Sequence, residues 1–180
     1  MVDKLIFSQT FEGIFRALGP RLDAALSARL NELGVDPARP LRPAYPLSVF
    51  RDVLRAVGAA AHPELDEEGR DLQLGREFMD GYSQTMVGRA MVAMMKVIGP
   101  RRTLERLSRQ FRTGNNFSET SLTEVAATEF ELWCNQVTVV GWYVGLIERG
   151  LEMAGAQHPR AQLIRRDEAG ATFRVTWDAA

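Results

Sequence analysis

Apolar residues recur at helical spacing through the first two thirds of the chain and turn to strand-like alternation only afterwards. Phe11, Ile14, Phe15 and Leu18 fall three or four positions apart, which places them on one face of a helix. The stretch before them, Lys-Leu-Ile-Phe at 4–7, fits either a short strand or the first turn of that helix. Gly19-Pro20 stops it, and residues 21–33 resume with Leu22, Ala25, Leu26 and Leu30 inward before Gly34 supplies a C-terminal cap. Four prolines from Pro37 to Pro46 then exclude a helix interior, at about 3 kcal/mol each, and imply an extended connection. Val49, Phe50, Val53, Leu54 and Val57 form the next buried stripe, with Ser48 as N-cap or Pro46 at the first helical position.

His62-Pro63 ends that helix, and Asp66-Glu67-Glu68 suits the positive end of another running to about Gly81. Leu72, Leu74, Phe78 and Met79 face inward there, while Gly75 and Gly81 are either close-approach points or weak spots. Residues 86–98 are apolar almost all round, which predicts a buried, central helix. Gly99-Pro100 breaks it. Residues 101–111 follow as a helix with Leu104, Leu107 and Phe111 inward and Arg102, Arg106 and Arg109 outward.

After Gly114-Asn115-Asn116 the spacing changes. Strands are predicted over 117–125 and 128–134, where Phe130, Leu132 and Cys134 alternate with Glu129, Glu131 and Trp133. A long helix over 137–155 carries Val140, Val144, Ile147, Leu151 and Ala154. A hairpin of 161–166 and 171–178 closes the chain through Asp167-Glu168-Ala169-Gly170. Helices first and paired strands last predict an α+β fold. Residues 1–180 form one domain, mainly helical over 1–114, with strand, strand, helix and hairpin over 115–180 packing a four-stranded antiparallel sheet on the helices.

Composition narrows the function classes. The chain has 180 residues, of which 46% are apolar and 25% charged, enough for a real core. Lys and Arg total 22 against 23 acidic residues, so no overall field favours nucleic acid or a membrane surface. One cysteine and two histidines leave no intramolecular disulfide and argue against a closed zinc site. No apolar run resembles a leader or a bilayer span, which predicts a cytoplasmic protein without membrane insertion.

The blocks Gly75-Arg76-Glu77-Phe78-Met79-Asp80-Gly81-Tyr82, Thr85-Met86-Val87-Gly88-Arg89 and Phe111-Arg112-Thr113-Gly114-Asn115-Asn116 resemble an uncharacterised paralogous family of myxobacteria. That likeness spans nearly the whole chain and implies no particular activity. The tail from Thr128 to Trp177, strand, Gly-containing helix and hairpin, is similar in layout to the ligand-binding fold of haem-based nitric oxide sensors, vinyl-reductase-type domains and vesicle-tethering subunits. Haem sensors of that fold use a helical histidine and a Tyr-x-Ser-x-Arg motif. Here His62 and His158 each precede a proline, the second in a loop, and Tyr82-Ser83 continues to Gln84. The layout therefore implies a ligand-binding fold, and no cofactor is expected.

Each remaining constellation has a chemical and a structural reading. Met79, Met86, Met91, Met94 and Met95 are flexible fillers, either of plain core or of an adaptable pocket for an apolar, lipid-like ligand. Cys134 is either, as the resemblance to the tethering subunits implies, an acylated or redox-active thiol in a ligand tunnel, or a small buried hydrophobe. Arg102, Arg106, Arg109 and Arg112 form either a solvated face or a grip for a phosphorylated or nucleotide signal. Apart from the inward-facing Phe111, no aromatic residue interleaves with them as nucleic-acid binding would require. Gly141 and Gly145, beside Trp142 and Tyr143, allow either an internal helix crossing or a dimer seam, and a homodimer is the expectation. No nucleophile pairs with a base and no metal-ligand motif is present, so no catalytic or metal residue is assigned. The reading is a non-catalytic regulatory or scaffolding domain acting through protein contact, with an apolar ligand in a cleft. The alternatives are a phosphorylated-signal sensor, a haem sensor and an enzyme dependent on Cys134.

Overall fold

The structure, a computed structural model, describes residues 3–179. Strand β1 (Leu5–Phe7) leads directly into α1 (Ser8–Leu18), and a 3-10 turn at Gly19–Arg21 separates α1 from α2 (Ala24–Glu32). Asp23 caps α2 by accepting from the Leu26 N–H, and Gly34, at φ +86°, ends it as its position implies. The proline-rich connection is not wholly irregular. It contains β2 (Ala44–Pro46), antiparallel to β1, because the Tyr45 ring is buried against Phe11 and its hydroxyl accepts from the Arg42 N–H. Helix α3 (Leu47–Ala61) follows, so Pro46 occupies the cap position and Ser48 lies inside the helix.

Helix α4 (Glu67–Tyr82) is capped by Asp66, which accepts from the Gly69 N–H. Helix α5 (Met86–Glu105) departs most from expectation. Instead of lying at the centre it flanks the fold, with Met86 79% and Val97 87% exposed and Val87 and Met94 also at the surface. An all-round apolar sequence has several faces that could be buried, and only the Met95 face meets the body. Gly99, at φ +79°, kinks α5 ahead of Pro100. The expected 101–111 helix is further divided at Arg106, leaving α6 (Leu107–Phe111) as a single turn.

Strands β3 (Thr120–Ala126) and β4 (Glu129–Cys134) form a hairpin, followed by α7 (Val140–Met153) and the hairpin of β5 (Gln157–Arg166) and β6 (Ala171–Asp178). The sheet is antiparallel in the order β3-β4-β6-β5. This is the α+β architecture the pattern predicts. His158 and Pro159 belong to β5 and not to a loop, at a shift in strand register where His158 adopts φ +46°. The β3 start lies later than predicted because the Asn115 side chain accepts from the Phe117 and Ser118 N–H groups and holds them in a turn.

Two apolar clusters result, one among α1–α4 around Phe11, Val53 and Phe78, the other between α7 and the sheet around Phe130, Leu132 and Phe173. They are joined where α4 crosses α7. A Cβ at Gly75 would collide with the Trp142 carbonyl oxygen, and one at Gly145 with that of Leu72. Around this crossing Arg76 bridges Glu148 (3.1 Å) and Glu152 (2.6 Å), and Arg149 bridges Asp80 (2.7 Å) and Glu152 (2.8 Å). Glu148 also accepts from the Ala161 N–H at 3.1 Å, tying β5 to the same network. Burial raises the Glu152 carboxyl, but hydrogen bonds from Arg149 and Arg76 outweigh it and hold the group below its ordinary value.

Gly145→Ala is expected to destabilise the fold by about 1–3 kcal/mol or prevent folding, because backbone cannot yield as a flexible side chain can; urea denaturation measures it. Asp71, beside Gly141 at the same crossing, is raised to about 6 by burial, with Glu67 adding and Arg55 opposing. Its folded form takes up a proton that an unfolded Asp releases. Its contribution to stability therefore falls as pH rises from about 4 through 6. Asp71→Asn should raise Tm at about pH 7.5 and do so less at about pH 5, as read by melting curves at the two values.

Candidate functional site

A cavity of about 100 Å³ lies among α1 and α3–α7, and no described residue of the four-stranded sheet lines it, so the cleft expected between helices and sheet is instead walled by helices and their connections. Met79 of α4, Met91 and Met95 of α5, and Leu146, Ile147 and Leu151 of α7 supply much of its apolar wall. Phe50, Phe78 and Trp142 add aromatic surface, with Trp142 set 5.5 Å from Phe50 and 5.0 Å from Phe78 between ring centroids. Gly150 matters by what it omits. Its missing Cβ would lie in ordinary contact, 3.6 Å from the Met95 Cε and 3.7 Å from the Met79 Cε, so a side chain longer than a methyl would run into the two thioethers.

One part of the wall is polar and hydrogen-bonded within itself. Thr113 donates to the Gln110 carbonyl at 2.7 Å, and the Tyr82 and Thr113 hydroxyl oxygens are 3.4 Å apart. Thr10 donates to the Gly114 carbonyl at 3.2 Å. Burial raises both Tyr82 and Tyr143, the latter to about 12, so both phenols are neutral near pH 7. Tyr143 donates to the Gln136 carbonyl at 3.1 Å.

Of the residues singled out in the sequence, Met91 and Met95 line this cavity, and Trp142 and Tyr143 do as well. Met86 and Met94 do not, since α5 turns them outward. Cys134 lies in the sheet cluster, away from the cavity wall, with its thiol pushed up to about 12 by burial. The Gly141 and Gly145 face, expected as a dimer seam, is occupied by α4 of the same chain. Arg102, Arg106 and Arg109 are exposed and lack a carboxylate partner among the described residues, while Arg112 pairs with Glu119 at 3.1 Å. Arg106 stands at the break between α5 and α6, so these arginines do not lie on one continuous helix. Gln110, Thr113 and Tyr82 are not legible as site residues in the sequence, because their convergence depends on α4 meeting α6 and the turn that follows it, which no local spacing encodes.

The layers are those of the H-NOX fold. An Fe(II) unliganded H-NOX protein from K. algicida superposes with a TM-score of 0.67 at 12% identity, covering 97% of this chain and 98% of that one. An oxygen-binding H-NOX domain related to soluble guanylate cyclases gives 0.68 at 13% identity, over 94% and 92%. A single-site mutant of the T. tengcongensis H-NOX gives 0.61 at 13% identity, over 94% and 96%. At such identities the likeness establishes the fold alone. The family described as protein of unknown function DUF2378 matches residues 4–178, and the chain belongs to it. No curated protein matches.

The residues present do not fit a haem. No histidine, lysine or arginine lines the cavity. His62 lies at the end of α3, 3.2 Å from Glu77, and His158 is exposed beside Asp178. The neutral phenols are poor iron ligands, the thioethers of Met79, Met91 and Met95 have no histidine to complete an axial pair, and two propionates would be buried without a cation. Among the described residues there is no cluster of three or more His, Cys, Asp or Glu placed for a metal, and no helix long and apolar enough to cross a membrane. Hemin titrated into the purified protein should give no saturable one-to-one complex with a sharp Soret band; absorbance titration checks this, and a stoichiometric endpoint would refute it.

Proposed function

We propose that the chain is a haem-free, non-catalytic sensor domain that takes a small apolar ligand into its internal cavity and reports occupancy through contact with a protein partner. One observation carries this reading: a cavity walled by flexible thioethers and free of charged side chains, in a fold whose solved members include an oxygen-binding H-NOX domain. Methionine is unbranched and polarizable, so Met79, Met91 and Met95 can rearrange around guests that differ in shape. A cavity of about 100 Å³ then serves as the seed of a larger site. Helix α5 has Met91 and Met95 on the wall and Met86 and Val97 in solvent, so a guest that shifts these thioethers also shifts an exposed helix. The separated arginines offer no comparable enclosure for a phosphorylated signal, which makes that reading the weaker one.

Thermal melting with toluene or heptane tests the proposal. A bound guest at about a hundred times its Kd should raise Tm by roughly 5–10 °C. Gly150→Leu, which builds a side chain toward Met79 and Met95, should abolish the shift while the apo protein remains folded. Absence of any shift in the wild type, with either hydrocarbon, would defeat the reading.

A further inference from the structure

One fully buried hydrogen-bonding atom of a cavity-lining residue has nothing to bond to among the described residues. Gln110, on the single turn of α6, lines the cavity, and its Nε2 is fully buried without a hydrogen-bond partner in the protein. No acceptor oxygen among the described residues is placed to hydrogen-bond with it. The unpaired atom is a donor, the amide N–H of Gln110. A buried donor left unpaired is unfavourable, and a guest bearing an acceptor removes that penalty on binding.

The charge of the guest is constrained as well. No Lys, Arg or His lines the cavity, so a carboxylate or phosphate would be desolvated with no counter-charge, at a cost far above what one hydrogen bond returns. We infer that the cavity selects neutral lipophiles carrying a single hydrogen-bond acceptor, such as ketones, esters or lactones, with the acceptor oxygen bound by the Gln110 amide and the alkyl portion held among Met79, Met91 and Met95. This rests on the proposed ligand-binding role and adds the chemical class of the ligand. Elongated, slender guests suit it best, because the existing space is small and the thioethers yield along their own length.

Isothermal titration of the full chain with 2-heptanone, heptane and heptanoate, in the wild type and in Gln110→Leu, tests it. The ketone should bind the wild type about tenfold more tightly than heptane does, and heptanoate should bind more weakly than either. Gln110→Leu should remove the ketone preference, leave heptane binding in place, and melt no lower than wild type because it deletes the unpaired donor. Equal affinity for ketone and hydrocarbon, a preference for heptanoate, or a ketone preference that survives Gln110→Leu would each overturn the ligand class while the sensor reading stands. Failure of all three compounds to bind the wild type would overturn both.

Discussion

Two helical backbones approach so closely at the α4–α7 crossing that glycine is required on both sides. Gly75 on α4 and Gly145 on α7 each face a carbonyl oxygen of the opposing helix, and Gly141 meets the Glu68 carbonyl one turn earlier. The consequence reaches both halves of the molecule. Helix α7 belongs to the sheet layer through Ile147 and Leu151, yet through Trp142 it also reaches Phe50 and Phe78 in the helical layer. A side chain at the crossing would push the layers apart and open the space between them to water. The ionic network of Arg76, Arg149, Glu148 and Glu152 surrounds this contact and fixes its angle, since each arginine reaches across to the other helix. Exposed ion pairs contribute little to stability, and these matter because they hold a geometry that dispersion alone leaves free to slide.

The sequence shows this crossing only partly. Glycines at 75 and 81 mark α4 as a helix of close approaches, and the 141/145 pair marks α7 in the same way. Spacing on one helix does not say which other helix fills it, so an internal seam and an interface between chains look alike until the layers are assembled. The alternation in Phe130, Leu132 and Cys134, and in Phe173 and Val175, defines the sheet well because one buried face is enough to fix a strand. Helix α5 misleads for the converse reason. Its apolar residues lie on every side, so its pattern contains no direction, and burial is decided by how much body there is to cover it. Strand β2 is hidden by prolines, whose lack of an N–H matters little on a two-stranded edge.

The cavity illustrates how a fold and its chemistry come apart. This chain shares its architecture with H-NOX proteins over almost its full length at 12% and 13% identity, but among the described residues no histidine lines the wall and no cation is there to pair with propionates. The layers persist because they depend on glycine contacts and apolar packing, which many sequences satisfy. The interior is free to be lined anew, and here it is lined with thioethers, aromatic rings and the amides of Gln110 and Asn115. Such a wall has no tight constraint on the shape of what it surrounds.

Cys134 carries a different consequence. It is the chain's sole thiol, sits with Phe130 and Leu132 on the covered side of β4, and is kept protonated by its surroundings. Thiolate is the reactive species, so alkylating reagents have no target while sheet and helix stay together. Any labelling that does occur counts excursions in which β4 parts from α7, and the molecule thereby contains its own clock for transient opening, readable at a single sulfur atom.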